Sequence, residues 1–302
     1  MDSVDATAAR RVPGTIGERK PVLLIYANCQ ADHMFKVLCQ VKSLAEHVEI
    51  KYIFIHSLEE PGQGWDTYPE NYMAGVTWVW EQVSEAFPAV RAEFNRRLPT
   101  GVQRIRFPAF TAGMIWPFAA PDRRASKRQL YLYGDAIAAR LGSRLAGQNL
   151  SDTEIFDQYM ELSCQRMRAV ERYRELEFDA WQRRDIASDI SISDFLTENI
   201  ERLQLFVEPG RVTEHLVRYT LRKLIEATFN PSHDYISALE RLLQFYVGYD
   251  NISLPIHPLV AERLKLNWFE PDATYRWFAH DWTFKDWIVR CVRLSPYVEK
   301  LY

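Results

Sequence analysis

Between residues 22 and 57 the chain changes its hydrophobic period twice, and few folds accept that change. Val22-Leu23-Leu24-Ile25-Tyr26 is an unbroken apolar run, as in a strand covered on both faces. It stops at Ala27-Asn28-Cys29-Gln30, after which Met34, Leu38 and Val41 recur at helical spacings of four and three. Residues 48–57, VEIKYIFIHS, read as a second strand. Helical segments are predicted over 72–87 and 89–98, divided by Pro88, followed by a third strand over Gln103–Phe107. Strand and helix in alternation predict an α/β fold with a parallel, doubly wound, flavodoxin-like core.

The later chain is different in character. Helices are predicted over 129–141 and 152–184, the second long and charged. Ser191-Ile192-Ser193-Asp194 has the spacing of a capping box. Leu203–Val207 reads as a short strand ending in Glu208-Pro209-Gly210, followed by a helix to about Phe229 and another over 233–247. The expected organisation is therefore a tail over 1–20, an α/β core over 21–150 that holds the turn after the first strand, and a mainly helical part over 151–302 that completes the core. The helical part reads as a large insertion, and the C-terminal segment is rich in aromatic residues. Trp268, Trp277, Trp282 and Trp287 fall close together there. Core packing is the first expectation for them, and a sugar-stacking or partner surface the second.

Charge and composition narrow the function. With 37 basic and 40 acidic residues the net charge is -3, so no global field draws in a polyanion and no nucleic-acid partner is expected. No apolar run approaches the roughly 20 residues that span a bilayer, so membrane association, if any, is expected to be peripheral. The first twenty residues contain no apolar h-region, which predicts a cytoplasmic protein without a secretory signal. Cys29, Cys39, Cys164 and Cys291 form no C-x-x-C pair, and no H-E-x-x-H is present, so neither a disulfide framework nor a metal site is expected. Glycine-rich phosphate loops of the G-x-G-x-x-G and Walker A types are likewise absent.

The turn at Asn28-Cys29-Gln30 is where chemistry is most readily placed. Ligands of open α/β sheets collect at the carboxyl ends of the strands. A cysteine there meets the positive end of the following helix, which favours thiolate. The Asn28 amide and the N–H groups of Cys29 and Gln30 are candidate oxyanion donors. A small buried cysteine in a tight turn is the plainer alternative. His33 lies one turn further along the same helical face as a partner for Cys29, with an ordinary hydrogen-bonded role as the first expectation.

The segment V-L-L-I-Y-A-N-C-Q-A resembles the G-N-C-Q-A opening of the WcbI-type capsular polysaccharide biosynthesis family, regarded as acetyltransferases. Further stretches resemble the same family in order: Arg106-Phe107-Pro108 through Gly113, Trp116 and Pro117; then Tyr133-Gly134-Asp135; then Ile192-Ser193-Asp194-Phe195-Leu196. The resemblance implies a core similar to that of SGNH hydrolases, coenzyme A or acetyl-CoA as a substrate, and Cys29 at the position of the hydrolase serine. It implies an acyl-CoA-dependent O-acetyltransferase whose partners are acyl-CoA and a carbohydrate or nucleotide-sugar acceptor. An esterase or thioesterase, or a non-catalytic CoA- or glycan-binding component, is the alternative. Two positions depart from the pattern. Ala27 replaces the first glycine, and Glu208 stands where the family has the histidine of a His-Pro pair after its last core strand. The candidate bases are therefore His257, which precedes Pro258, then Glu208 and His215. The basic run Arg123, Arg124, Lys127 and Arg128, together with Arg211, gives candidate clamps for the phosphates of coenzyme A, with a solvated face as the plainer reading of the run.

Overall fold

The computed structural model describes residues 20–58, 64–69, 71–83, 88–125, 129–130, 134–167, 169–229, 233–245, 251–294 and 298–299. They group into two compact units. The first is Met1–Pro108 with Ala187–Ile190 and Arg218–Tyr246, and the second is Ala109–Ile186 with Ser191–Val217 and Val247–Tyr302.

The first unit holds a four-stranded parallel sheet made of β1 (Val22–Ala27), β2 (Glu49–Phe54), β3 (Val76–Val83) and β4 (Gln103–Pro108). Helices α1 (Gln30–Gln40), α2 (Lys42–Ala45) and α3 (Pro88–Arg97) connect its strands. The order β2-β1-β3-β4 is that of a doubly wound α/β sheet, in which the direction of winding reverses between β1 and β3. The strand expected at Gln103 is thus the fourth. The helix predicted over 72–87 is a correction: residues 76–83 form the central strand β3. Thr77-Trp78-Val79-Trp80 is a β-branched and aromatic run that suits a pleated, doubly covered strand, and a short apolar run of this kind has no decisive period.

Both faces of β1 are buried, as its unbroken apolar run requires. On one face Val22, Leu24 and Tyr26 join Ile53, Val79 and Phe94 in a single core, and the Tyr26 and Phe94 rings stack at 3.7 Å. On the other, Trp80 Nε1 donates to Thr228 Oγ1 at 2.6 Å and the Trp78 ring meets Phe229 edge-on. The outer edge of β4 is closed by Asp189. Its carboxylate accepts the Arg106 N–H at 2.8 Å, and its own N–H donates to the Arg106 carbonyl at 2.9 Å. That exchange supplies an edge strand with the partners it would otherwise lack.

After the sheet come β5 (Ala119–Ala120), β6 (Gln129–Leu130), β7 (Gly134–Asp135), α4 (Ala136–Arg144), α5 (Asp152–Arg166), α6 (Val170–Ile186) and α7 (Ser193–Asn199). They are followed by β8 (Phe206–Glu208), β9 (Arg211–Val212), α8 (Glu214–Thr228), α9 (His233–Leu243), α10 (Pro258–Leu264), β10 (Thr274–Trp277), β11 (His280–Thr283), α11 (Phe284–Arg293) and β12 (Val298–Glu299). The predominance of helix matches expectation, with four local corrections. Residues 129–130 pair with β12, and the helix begins only at Ala136, where Asp135 caps it. The helix predicted over 152–184 is broken at Met167. No capping box forms at Ser191; instead Asp185 accepts the N–H groups of Ile192 and Ser193 and the Ser191 hydroxyl. One carboxylate thereby satisfies several orphan donors of α7. Finally, β8 pairs antiparallel with β9 in a small hairpin and is no strand of the parallel sheet.

Three of the four C-terminal tryptophans are packing residues, while Trp268 is half-buried and donates its Nε1–H to the Ile200 carbonyl at 2.9 Å. Trp277, Trp282 and Trp287 are buried against one another, with Trp277 and Trp287 edge-to-face at 4.9 Å.

Candidate active site

Cys29 is exposed and stands between the end of β1 and the first residue of α1, with helical backbone angles of -56° and -20°. The strand-to-helix turn around it is pinned mainly through Asn28. The Asn28 N–H donates to Gln82 Oε1 at 3.0 Å, and its carbonyl accepts the Tyr52 hydroxyl at 2.7 Å and the Ala31 N–H at 3.1 Å. Its side-chain Oδ1 accepts the Gln30 N–H at 2.9 Å, and Gln82 Nε2 donates to Gln30 Oε1 at 2.8 Å. The Gln30 N–H, an expected oxyanion donor, is therefore already bonded to Asn28. Because Oδ1 faces that N–H, the Asn28 Nδ2 group points the other way and is the amide donor of the turn.

Sequence reasoning missed Gln82, because its segment was read as helix. A polar residue closing an apolar strand at the carboxyl end of a sheet is the signal that would have found it. Beside it, the buried Glu81 carboxylate takes ion pairs from Arg91 and Arg104, and Arg91 Nη2 also donates to the Gln82 carbonyl at 3.0 Å.

His33 is buried in α1 of the first unit, and the remaining predicted residues belong to the second unit. Glu208 is 5% exposed at the end of β8. Its Oε1 accepts Arg211 Nε at 2.9 Å, and its Oε2 has no hydrogen-bond partner among the described residues. Burial pushes the Glu208 carboxyl above the ordinary range, and Arg211 partly opposes that. His215, in the first turn of α8, is half-exposed beside Glu214 at 3.4 Å.

His257 caps the N-terminus of α10. Its Nδ1 accepts the Leu259 N–H at 3.2 Å, and its Nε2 lies 3.0 Å from Ser163 Oγ, whose hydroxyl is also 3.1 Å from the Met160 carbonyl. A backbone N–H can only donate, so Nδ1 carries no proton and Nε2–H faces the serine. Burial pushes His257 down to about 4. The ring lines a cavity of about 40 Å³ together with Asp135, Tyr159 and Phe284. Asp135 accepts the Ile137 and Ala138 N–H groups and the Tyr159 hydroxyl, each at 2.8 Å, and burial lifts it to about 6.

Of the basic run, Arg123 is exposed and Lys127 and Arg128 lie outside the described residues. Arg124 is committed to structure. It pairs with Asp122 and donates to the carbonyls of Cys291 and Val292 at 2.6 and 2.8 Å, closing the C-terminus of α11. Gly142 makes this approach feasible, because a Cβ there would lie 1.8 Å from Arg124 Nη1. The structure thus brings Cys29, Asn28 and Gln30 together in one turn and pairs Glu208 with Arg211. Among the described residues, no group of three or more His, Cys, Asp or Glu is placed to hold a metal ion. No helix among them is long and apolar enough to cross a membrane.

An exposed cysteine where a doubly wound sheet reverses its winding marks an α/β protein with a candidate site at the topological switch point. The chain belongs to the family of WcbI, a polysaccharide biosynthesis enzyme, whose model matches residues 22–228. The matched stretch contains Cys29, Gln82, Glu208 and His215, and ends before His257. A solved WcbI structure, described as that of a novel polysaccharide biosynthesis enzyme, aligns with a TM-score of 0.70 at 15% identity over 92% of this chain and 91% of that one. Its native form is described as lacking a disulfide bond between coenzyme A and one of that protein's cysteines. No curated protein matches the chain.

Proposed function

We propose that the protein is an acyl-CoA-dependent O-acyltransferase acting on a capsular or other surface-polysaccharide precursor, with Cys29 carrying the acyl group. The observation that carries this reading is the exposed Cys29 thiol on the N-terminus of α1 at the β1/β3 switch point. Helix N–H groups and dipole favour thiolate there, and thiolate is the nucleophilic form. The coenzyme A named for the WcbI relative agrees with a donor whose sulfur meets a cysteine.

In this reading the Cys29 thiolate attacks the thioester carbonyl, the carbonyl–sulfur bond of the donor breaks, and coenzyme A leaves as its thiolate. Exchange between thioesters is close to isoenergetic, so the acyl group stays activated on Cys29. A sugar hydroxyl then attacks the acyl-cysteine, its proton passes to a base, and the Cys29 thiolate is released. Asn28 Nδ2 stabilises the oxyanion that forms in each half.

Of the three candidate bases, Glu208 has the surroundings that suit the role best. His257 already has both ring nitrogens bonded, and its lowered pKa weakens it as a proton acceptor. Glu208 has an unpartnered oxygen, and a pKa raised by burial brings a carboxylate closer to the range a general base needs. Arg123 is the arginine assigned to the phosphates of the donor; Arg124 and Arg211 are not, since their bonds are internal.

Incubation with acetyl-CoA followed by intact-protein mass spectrometry tests the reading. One added acetyl group, mapped to Cys29 and discharged by a glycan acceptor, is expected. Release of coenzyme A without acceptor and without adduct would instead indicate a thioesterase.

A further inference from the structure

We infer that Gln82 is the positioning residue of the Cys29 turn, its buried amide fixing the backbone on both sides of the thiol without touching substrate. The inference rests on the reading of Cys29 as the acyl carrier. Gln82 is 0% exposed and lies on the same face of β3 as Trp78 and Trp80. Apolar side chains suit that face of a central strand, and a glutamine there must have both ends of its amide bonded. Both of these bonds are in the turn. The pairing of β1 with β3 runs from Val22 to Tyr26, which lies opposite Glu81, and Asn28 is two residues past it. The Gln82 side chain continues the connection where the backbone ladder ends.

The direction of each bond is fixed by elimination. The Asn28 N–H can only donate, so the atom facing it is Gln82 Oε1. Gln82 Nε2 therefore faces Gln30, whose facing atom must be Oε1. Asn28 and Gln30, the two neighbours of Cys29, are thus held by one amide. The main chain of Gln82 is anchored by Arg91, which bonds the Gln82 backbone carbonyl and the Glu81 carboxylate. Loss of the amide removes one hydrogen bond from each neighbour, and the aim of the helix N-terminus on the Cys29 sulfur loosens.

The test is site-resolved alkylation by iodoacetamide across pH, read by peptide mass mapping on the full chain. Cys39, also exposed and at the far end of α1, is the internal control. Gln82→Met removes both polar ends, and Gln82→Asn is too short to span both partners. Each should slow Cys29 alkylation near pH 7 about tenfold, equivalent to about one unit in the thiol midpoint, with Cys39 unchanged. Gln82→Glu keeps the acceptor for the Asn28 N–H and should fall between these variants and the parent protein. Should Gln82→Met not fold, Gln82→Asn, which keeps an amide but cannot reach both partners, carries the test. An unchanged Cys29 profile, or equal slowing at Cys29 and Cys39, overturns the inference. Alkylation requires no coenzyme A, so a failure of acyl transfer alone would overturn the acyltransferase reading and leave the role of Gln82 standing.

Discussion

The turn after β1 and the region around β8 and α10 solve different problems. Around Cys29 the clamps are neutral: the amides of Asn28, Gln30 and Gln82 and the Tyr52 hydroxyl. Around Glu208, Asp135 and His257 the buried groups are ionisable, and burial shifts all three away from their ordinary values. Neutral amides hold a geometry that does not change across the physiological pH range. Buried ionisable groups make the second region the place where pH acts, on proton transfer or on stability. The first unit thus holds its candidate nucleophile with neutral groups, while the second gathers the buried groups whose titration burial shifts.

The largest effect should come from the thiol itself. Cys29→Ala should abolish the acyl-enzyme and lower transfer by about a thousandfold or more, the scale reached when a nucleophile is removed from a group of residues that act as one. Coenzyme A binding, followed by calorimetry, should persist. Full transfer activity in Cys29→Ala would mean direct transfer with the cysteine only lining the site.

Glu208→Gln comes next. It keeps the shape of the side chain and removes its basicity, and should slow transfer about a hundredfold, within the range for general bases. Acyl-cysteine formation should survive, because only the second half-reaction uses this base. Arg211→Met sharpens the assignment. Arg211 opposes the upward push of burial on Glu208, so its loss should raise the Glu208 pKa further. The acid limb of the pH–rate profile should then move to higher pH; a limb that stays in place points to His215.

A smaller effect is expected at the arginine that the sequence offers as a phosphate clamp and the structure uses as a helix cap. In Gly142→Ala the new Cβ would collide with Arg124 and with the Val292 carbonyl. The expected loss is about 2 kcal/mol of unfolding free energy, within the range for overpacking, with coenzyme A affinity unchanged in calorimetry. Weaker coenzyme A binding with unchanged stability would return Arg124 to the phosphate site.

The legible parts of this sequence were those where one local signal had no competitor. The apolar run Val22–Tyr26, the break at Asn28-Cys29-Gln30 and the helix after it predicted β1, the turn and α1 where they occur. β3 was not legible, because Val76–Val83 is apolar enough to be strand or buried helix, and the choice is made by pairing with β1 and β4. With β3 misread, Gln82 could not be placed at the turn. His257 is a candidate base in the sequence because it precedes Pro258, as in a His-Pro pair. Its N-cap role depends on Leu259 and on Ser163, which lies 94 positions away, and no local pattern shows that. The break in the helix predicted over 152–184 and the capping of α7 by Asp185 are likewise tertiary choices.

The smallest net effect is a near-cancellation, and it is where the second region can be taken apart. His257 has an ordinary pKa of 6.5 and sits at about 4 in the fold. As pH falls from 6.5 to about 4, the unfolded chain takes up a proton there that the folded chain does not, so stability is lost across that window. Asp135 works in the opposite sense, because its ordinary value of 3.8 rises to about 6. As pH falls from about 6 to 3.8, the folded chain takes up the proton first, and stability is gained. Each contribution is about 3 kcal/mol at 1.36 kcal/mol per pKa unit, and between about pH 6 and pH 4 they largely offset. Single variants should expose each one. Asp135→Asn keeps an N-capping side chain on α4 and leaves the His257 loss unopposed, so the urea midpoint should fall on acidification from pH 6.5 to pH 4. His257→Gln should show the reverse, with the midpoint rising as pH drops below 6. If both variants follow the parent protein in parallel, the two groups do not offset, and the pH response of this region belongs to Glu208.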